Sequence, residues 1–252
     1  MSTPAALFDL TGRVALVTGG SRGLGREMAL AFAAAGADVA VASRNLEACE
    51  AVADEVRALG RDASAHACHL GRWDEVGTLA DAVLERFGHV DVLVNNAGKS
   101  PLYERLADLT EAQYDSVLGL NLKGPFRLTA LLAEHMRAAG RGSVINISSI
   151  GAFRADASAV PYSAAKAGLN AMTAGMAQAY GPQVRVNAIA PGAFATDISR
   201  AWTPEVVAAL EERTALHRVG QPSEVVGAAL YLASDASAFT TGTVIQVDGG
   251  TR

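Results

Sequence analysis

Cysteine is almost missing from this 252-residue chain, which has only Cys49 and Cys68. Two cysteines set among apolar neighbours do not form a disulfide framework, and both are expected as small core side chains. Long apolar runs are missing too, since none approaches the ~20 residues that a membrane span needs. Met1 to Leu10 lacks a basic stretch followed by an apolar one, so no secretory signal is visible. No basic tract appears and the formal net charge is −5, which argues against nucleic acid or an anionic membrane surface as partner. His66, His89, His135 and His217 show no ligand spacing, so no catalytic metal is expected. No linker, repeat or low-complexity segment divides the chain. What remains is a cytoplasmic globular protein with a sizeable core, read as one domain over residues 1–252.

What is present is an alternation of short buried runs and helical patterns. Val14 to Val17 reads as a strand covered on both faces. A glycine-rich turn follows, Thr18-Gly19-Gly20-Ser21-Arg22-Gly23-Leu24-Gly25, and leads into a helix that Gly36 ends. Bare backbone N–H groups at a helix N-terminus suit a phosphate, and glycines let it approach. Further strands are expected at Asp38–Ala42, Ala65–Leu70, Val90–Val94, Ser143–Ile147, Val184–Ala190 and Val244–Val247. Helices of ~12–16 residues separate the first four, which predicts right-handed βαβ units and a doubly wound parallel α/β sheet of about seven strands. A ligand then belongs at the carboxyl ends of the strands. Thr110 to Gln113 reads as a capping box, and Asn121 with Gly124-Pro125 interrupts the long helix that follows. Residues 193–217, including Trp202, have weaker periodicity and are expected to form a substrate lid.

Tyr162-Ser163-Ala164-Ala165-Lys166 places a phenol and an amine one helical turn apart. A free phenol, with a pKa near ~10, is a poor acid or base at neutral pH. An ammonium beside it favours the phenolate, and a hydroxyl such as Ser149 could hold a substrate oxygen against it.

These motifs occur in a telling order: Thr18-Gly19-x-x-x-Gly23-x-Gly25, Asn95-Asn96-Ala97-Gly98, Asn121, Ser149, Tyr162-x-x-x-Lys166 and Pro191-Gly192. Over nearly its full length the chain resembles the short-chain dehydrogenase/reductase family, near its 3-oxoacyl-carrier-protein reductases and its gluconate or polyol dehydrogenases. The resemblance implies a single-domain Rossmann fold with strand order 3-2-1-4-5-6-7 and an NAD(P)(H)-dependent oxidoreductase interconverting a carbonyl and a secondary alcohol. It implies Tyr162 as acid/base, Lys166 lowering its pKa and binding the nicotinamide ribose, Ser149 holding the substrate oxygen, and Asn121 anchoring a water in a proton relay. Gly19, Ser21, Arg22, Gly23, Leu24 and Gly25 would hold the pyrophosphate side of the cofactor. Asn96, Ala97 and Gly98 would lie near the adenosine, and Pro191, Gly192, Phe194 and Thr196 near the nicotinamide. His69, followed by Leu70, stands where many members carry an Asp for the adenine. A homotetramer is also implied, and the apolar strand Val244–Val247 close to the end of the chain is consistent with it.

Two choices stay open at this level. Ser43 occupies the position of the acidic residue usual in NAD-binding relatives, and Arg44 follows it, so NADP(H) is favoured with NAD(H) as the alternative. The substrate is a 3-oxoacyl thioester, a ketone, a sugar acid or a polyol. Tyr180-Gly181-Pro182-Gln183 has no basic residue for carrier docking, although Arg137 and Arg141 are candidates. Phe153, Phe194 and Trp202 could line an apolar pocket or pack in the core. A cofactor-binding regulator on the same fold is the competing function. A hydrolase is disfavoured because no Gly-x-Ser-x-Gly elbow surrounds Ser149.

Overall fold

The computed structural model describes residues 5–197, 199 and 202–251. Seven strands, β1 Val14–Thr18, β2 Asp38–Ser43, β3 Ala63–Ala67, β4 Val92–Asn95, β5 Gly142–Ile147, β6 Val184–Pro191 and β7 Val244–Val247, form one sheet. Their order is β3-β2-β1-β4-β5-β6-β7, as the resemblance implied. All neighbours run parallel. The central strands β1 and β4 are buried at every position, because helices cover both faces. On one face lie α1 Gly23–Ala34, α2 Leu46–Ala58 and α8 Val226–Ala233, packed through Phe32, Val52 and Leu232. On the other lie α3 Trp73–Phe87, α5 Gly124–Ala138 and α6 Val160–Tyr180, packed through Leu79, Leu132 and Met176. Each such side chain contributes about 1.5–3 kcal/mol on full burial. Among the described residues, no helix is long and apolar enough to cross a membrane.

The capping box forms as read, with Thr110 and Gln113 opening α4 Glu111–Leu118. The expected interruption is a single π-helical turn, Gly119–Lys123, and α5 continues from it without a break. Pro125 sits in the first turn of α5 and, lacking an N–H, cannot donate back into the π turn that precedes it. Gly124 is glycine for a packing reason, since a Cβ there would lie 2.0 Å from the Leu70 carbonyl oxygen.

The third strand lies earlier than Ala65–Leu70. It pairs from Ala63, opposite Val39, to Ala67, opposite Ser43. Beyond Cys68 the chain leaves the sheet, and the His69 N–H donates to the Glu75 carboxylate at 2.7 Å. Leu70 is buried in the core under α3 and α5. The apolar residues that suggested a strand there serve helix packing, while the strand itself is a half-exposed edge of alanines with Ser64 and His66.

Candidate active site

The carboxyl ends of β1 and β4 are interlocked. The Thr18 hydroxyl donates to the Val94 carbonyl and accepts from the N–H groups of Asn96 and Ala97. The Asn96 amide donates to the carbonyls of Thr18 and Gly19, both at 3.0 Å. This close approach demands glycine: a Cβ on Gly19 would meet Asn96 Nδ2 at 2.8 Å, and one on Gly25 would lie 2.3 Å from the Gly19 oxygen. Asn96 therefore spends its side chain on the glycine turn, not on a ligand. Next to the interlock, α1 starts bare. Arg22 at its N-cap makes no capping bond, and no acidic residue sits in the first turn. An uncapped helix N-terminus behind a glycine turn fits the pyrophosphate of a dinucleotide. Ser21 and Leu24 flank the turn, and Gly23, at φ 54°, faces the Thr196 side chain. Across the sheet, Gly192 is held against the Asp248 backbone, where a Cβ would meet Cα at 2.8 Å. Buried Pro191 pairs with Val247 of β7.

β5 delivers Ser149 and α6 delivers Tyr162 and Lys166. The Ser149 hydroxyl accepts from the Gly151 N–H at 3.0 Å, which starts a short helical turn and orients the side chain. Lys166 is 3% exposed, and its ammonium donates to the Ile147 carbonyl at 2.7 Å. It lies 5.7 Å from the centre of the Tyr162 ring. Burial pulls the Lys166 ammonium down to about 8. Burial also pushes the Tyr162 phenol up, and the hydrogen bond with Ser149 offsets part of that rise. In the chain alone the Lys166 hydrogen bond goes to Ile147, and burial is the largest influence on both groups.

Asn121 lies in the π turn and is fully buried. Both its amide hydrogens are committed, to the carbonyls of Val117 and Lys99, while its Oδ1 accepts from the Lys99 N–H. A π turn inside a helix frequently marks a functional site. Here it sets Asn121 across from Lys166, and Gly98 keeps the space between them open. A Cβ on Gly98 would lie 2.8 Å from Asn121 Oδ1 and 3.6 Å from Lys166 Nζ.

Sequence reasoning missed a chain of side chains behind this group. Asn95 Nδ2 donates to Thr129 Oγ1 and to Asn146 Oδ1, Asn146 Nδ2 donates to Thr173 Oγ1, and Thr173 donates to the Leu169 carbonyl. It ties α5, β4, β5 and α6 together two turns beyond Lys166. The available signal was two asparagines closing apolar strands.

The remaining positions are looser. Ser43 accepts from the Asn45 N–H and donates to its carbonyl, while Arg44 is exposed with no ion pair among the described residues. His69 Nδ1 accepts from the Gly71 N–H at 3.2 Å, so the free ring nitrogen is a donor and cannot replace an accepting Asp. Phe194 is 7% exposed and packs in the core, which settles its side chain as core packing. Phe153 is 52% exposed, and Trp202 is half-buried. The lid expected over 193–217 falls partly on Ile198, Arg200 and Ala201, outside the described residues.

A family model described as enoyl-(acyl carrier protein) reductase matches residues 19–252. The chain is 37% identical to 2-dehydro-3-deoxy-D-gluconate 5-dehydrogenase of Escherichia coli, over 96% of each chain. It superposes at a TM-score of 0.95 on a 7α-hydroxysteroid dehydrogenase solved with NADH and 7-oxo glycochenodeoxycholic acid, at 35% identity over 100% of this chain and 98% of that one. The TM-score is 0.93 with a 3-oxoacyl (acyl-carrier-protein) reductase of Agrobacterium tumefaciens solved with NADP, at 33% identity over 98% and 97% of the two chains. Taken with the motifs gathered at the strand ends, this agreement over nearly the whole length shows that the chain belongs to the short-chain dehydrogenase/reductase family of oxidoreductases.

Proposed function

We propose that this oxidoreductase interconverts a secondary alcohol and a carbonyl, that Tyr162 moves the proton, and that NADP(H) is preferred. The observation that carries the reading is the half-buried Tyr162–Ser149 pair beside Lys166, facing the gap left open at Gly98. A nicotinamide cofactor bound along the glycine turn supplies or accepts the hydride. In reduction, the phenol, kept protonated at neutral pH by burial, donates to the substrate oxygen, and the Ser149 hydroxyl orients that oxygen. In oxidation, Tyr162 must first lose its proton, and the positive charge of Lys166 favours that form. The signs follow: the reductive rate falls as pH rises through the phenol's pKa, and the oxidative rate rises. A water relayed through Asn121 would use its main-chain carbonyl, since its amide is committed to the loop. A purely regulatory cofactor binder would have no need of all four groups.

For the cofactor, Arg44 offers an exposed guanidinium with no ion pair among the described residues, and Ser43 places no carboxylate there to repel a 2′-phosphate. Arg22 adds a second charge, held only loosely at 4.0 Å from Asp197. The half-exposed apolar edge of β7 supports a homotetramer, and α7 Pro204–Glu212, with none of its residues buried, suits a lid. The test is Tyr162→Phe, which should lower kcat by at least about 100-fold; an unchanged rate would overturn the assignment.

A further inference from the structure

We propose that the substrate is an uncharged ketone or secondary alcohol with an apolar body, and neither a sugar acid, a polyol nor a carrier-bound thioester. This rests on the reading of Tyr162 as the acid/base. A narrow cleft opens against Tyr162, between residues 101–109, α4 and the start of α6. Its walls include Leu102, Leu109, Val117 and Pro161, and among the described residues the only polar side chains lining it besides Tyr162 are those of Tyr103 and Gln113. The Tyr103 hydroxyl and the Gln113 carbonyl oxygen are already engaged in closing the walls. The Tyr103 hydroxyl donates to the Ala157 carbonyl and accepts from the Val160 N–H. The Gln113 carbonyl oxygen accepts from the Thr110 N–H and hydroxyl. A polyol entering here would bury hydroxyls with almost nothing to pair them, which is strongly selected against.

The cleft leads outwards into a wider, open hollow of about 380 Å³ that shares Leu109 and Pro161 and adds Leu106, Tyr114 and Val160. Leu102 is 78% exposed and Leu106 is 55% exposed, so the rim presents apolar surface that the core does not use. Among the described residues, no lysine or arginine lines either hollow, and Glu111 lines the outer one. The nearby cations are turned elsewhere: Lys99 to Ser116, and Arg105 towards Asp108. The two arginines considered for carrier docking are also taken, Arg137 by Glu134 and Arg141 by Asp91. A carboxylate or phosphate would meet no cation and one repelling carboxylate.

The experiment measures kcat/KM with NADPH for the straight 2-alkanones from butanone to nonanone, a keto sugar acid and an acetoacetyl thioester. The expected result is a rise of about threefold per added methylene until the cleft is filled, with the charged compounds at least about 100-fold below the best alkanone. Leu102→Arg should lower the value for nonanone about tenfold and raise it for the keto sugar acid. A flat alkanone series, no turnover of any alkanone, or a charged compound equal to the best alkanone would overturn the proposal. Tyr162→Phe separates the two readings. If it abolishes turnover while the alkanone series is flat, the cleft reading alone fails; if it leaves turnover intact, the acid/base reading falls and this proposal with it.

Discussion

Two corners of the same cleft are built in opposite ways. At the catalytic corner, Asn121 is fully buried and Lys166 is 3% exposed. Each is fixed by bonds to other segments, Asn121 to the Lys99 loop and Lys166 to β5. At the corner proposed to select the cofactor, the Ser43 side chain bonds only within its own segment, to Asn45 and to the Cys49 thiol, and Arg44 is exposed without an ion pair among the described residues. The chemistry is written into the core, where geometry is over-determined. The choice of cofactor is written at the surface, where a change barely disturbs folding.

The sharpest way to break that contrast is to disturb the buried corner. Gly25→Ala forces a Cβ to within 2.3 Å of the Gly19 oxygen. It should prevent folding, or weaken NADPH binding by more than about 100-fold through a displaced turn, far beyond an ordinary surface substitution. Fluorescence titration with NADPH checks this, and wild-type affinity in a folded variant would show that the interlock has slack. Asn146→Leu comes next. It strands the Asn95 and Thr173 groups, and each unpaired buried group costs about 1–3 kcal/mol. Denaturant midpoints should drop clearly, and kcat should fall more than KM rises.

The exposed corner should behave otherwise. Ser43→Asp with Arg44→Leu should move kcat/KM towards NAD by at least about tenfold, with Tm almost unchanged. A collapse of Tm, or no shift between cofactors, would erase the distinction between the corners. The smallest effect is thermal. Lys166 has a folded-state pKa of about 8 against an ordinary 10.5. Below pH ~8 it carries its charge in both states, and the burial cost is present in full. The unfolded chain binds the extra proton between ~8 and ~10.5, so stability rises with pH across that window. Lys166→Met should therefore abolish activity yet raise Tm near neutral pH by a few degrees, after about 1 kcal/mol is lost with the Ile147 bond. That gain should shrink towards pH ~10. Melting curves at both pH values test the sign.

Much of this was legible because local rules sufficed. A buried strand, a glycine turn and an amphipathic helix announce β1 and α1 without tertiary information, and helical spacing alone puts Tyr162 one turn from Lys166. The failures share a cause: the deciding partner is distant in sequence. The placement of β3 depended on Leu70 being claimed by α3 and α5, and the job of Asn96 depended on Thr18 and Gly19, 78 and 77 residues away. The phenol's pKa depended on how much of the chain closes over it, which no spacing encodes. The π turn left a trace, in Asn121 and Gly124-Pro125, of an irregularity but not of its kind.

The amide chain behind the site has a direction. Asn95 gives a hydrogen to Asn146, Asn146 to Thr173, and Thr173 to the backbone of α6. An aspartate would fit either asparagine's space but has no hydrogen to hand on, so the next acceptor in line would face a lone pair. A change at either asparagine therefore has to be matched at the residue that receives its hydrogen. The segments around 95, 129, 146 and 173 are bound to one another in this way, while the loop at 101–109 takes no part in these bonds and is free to change without them.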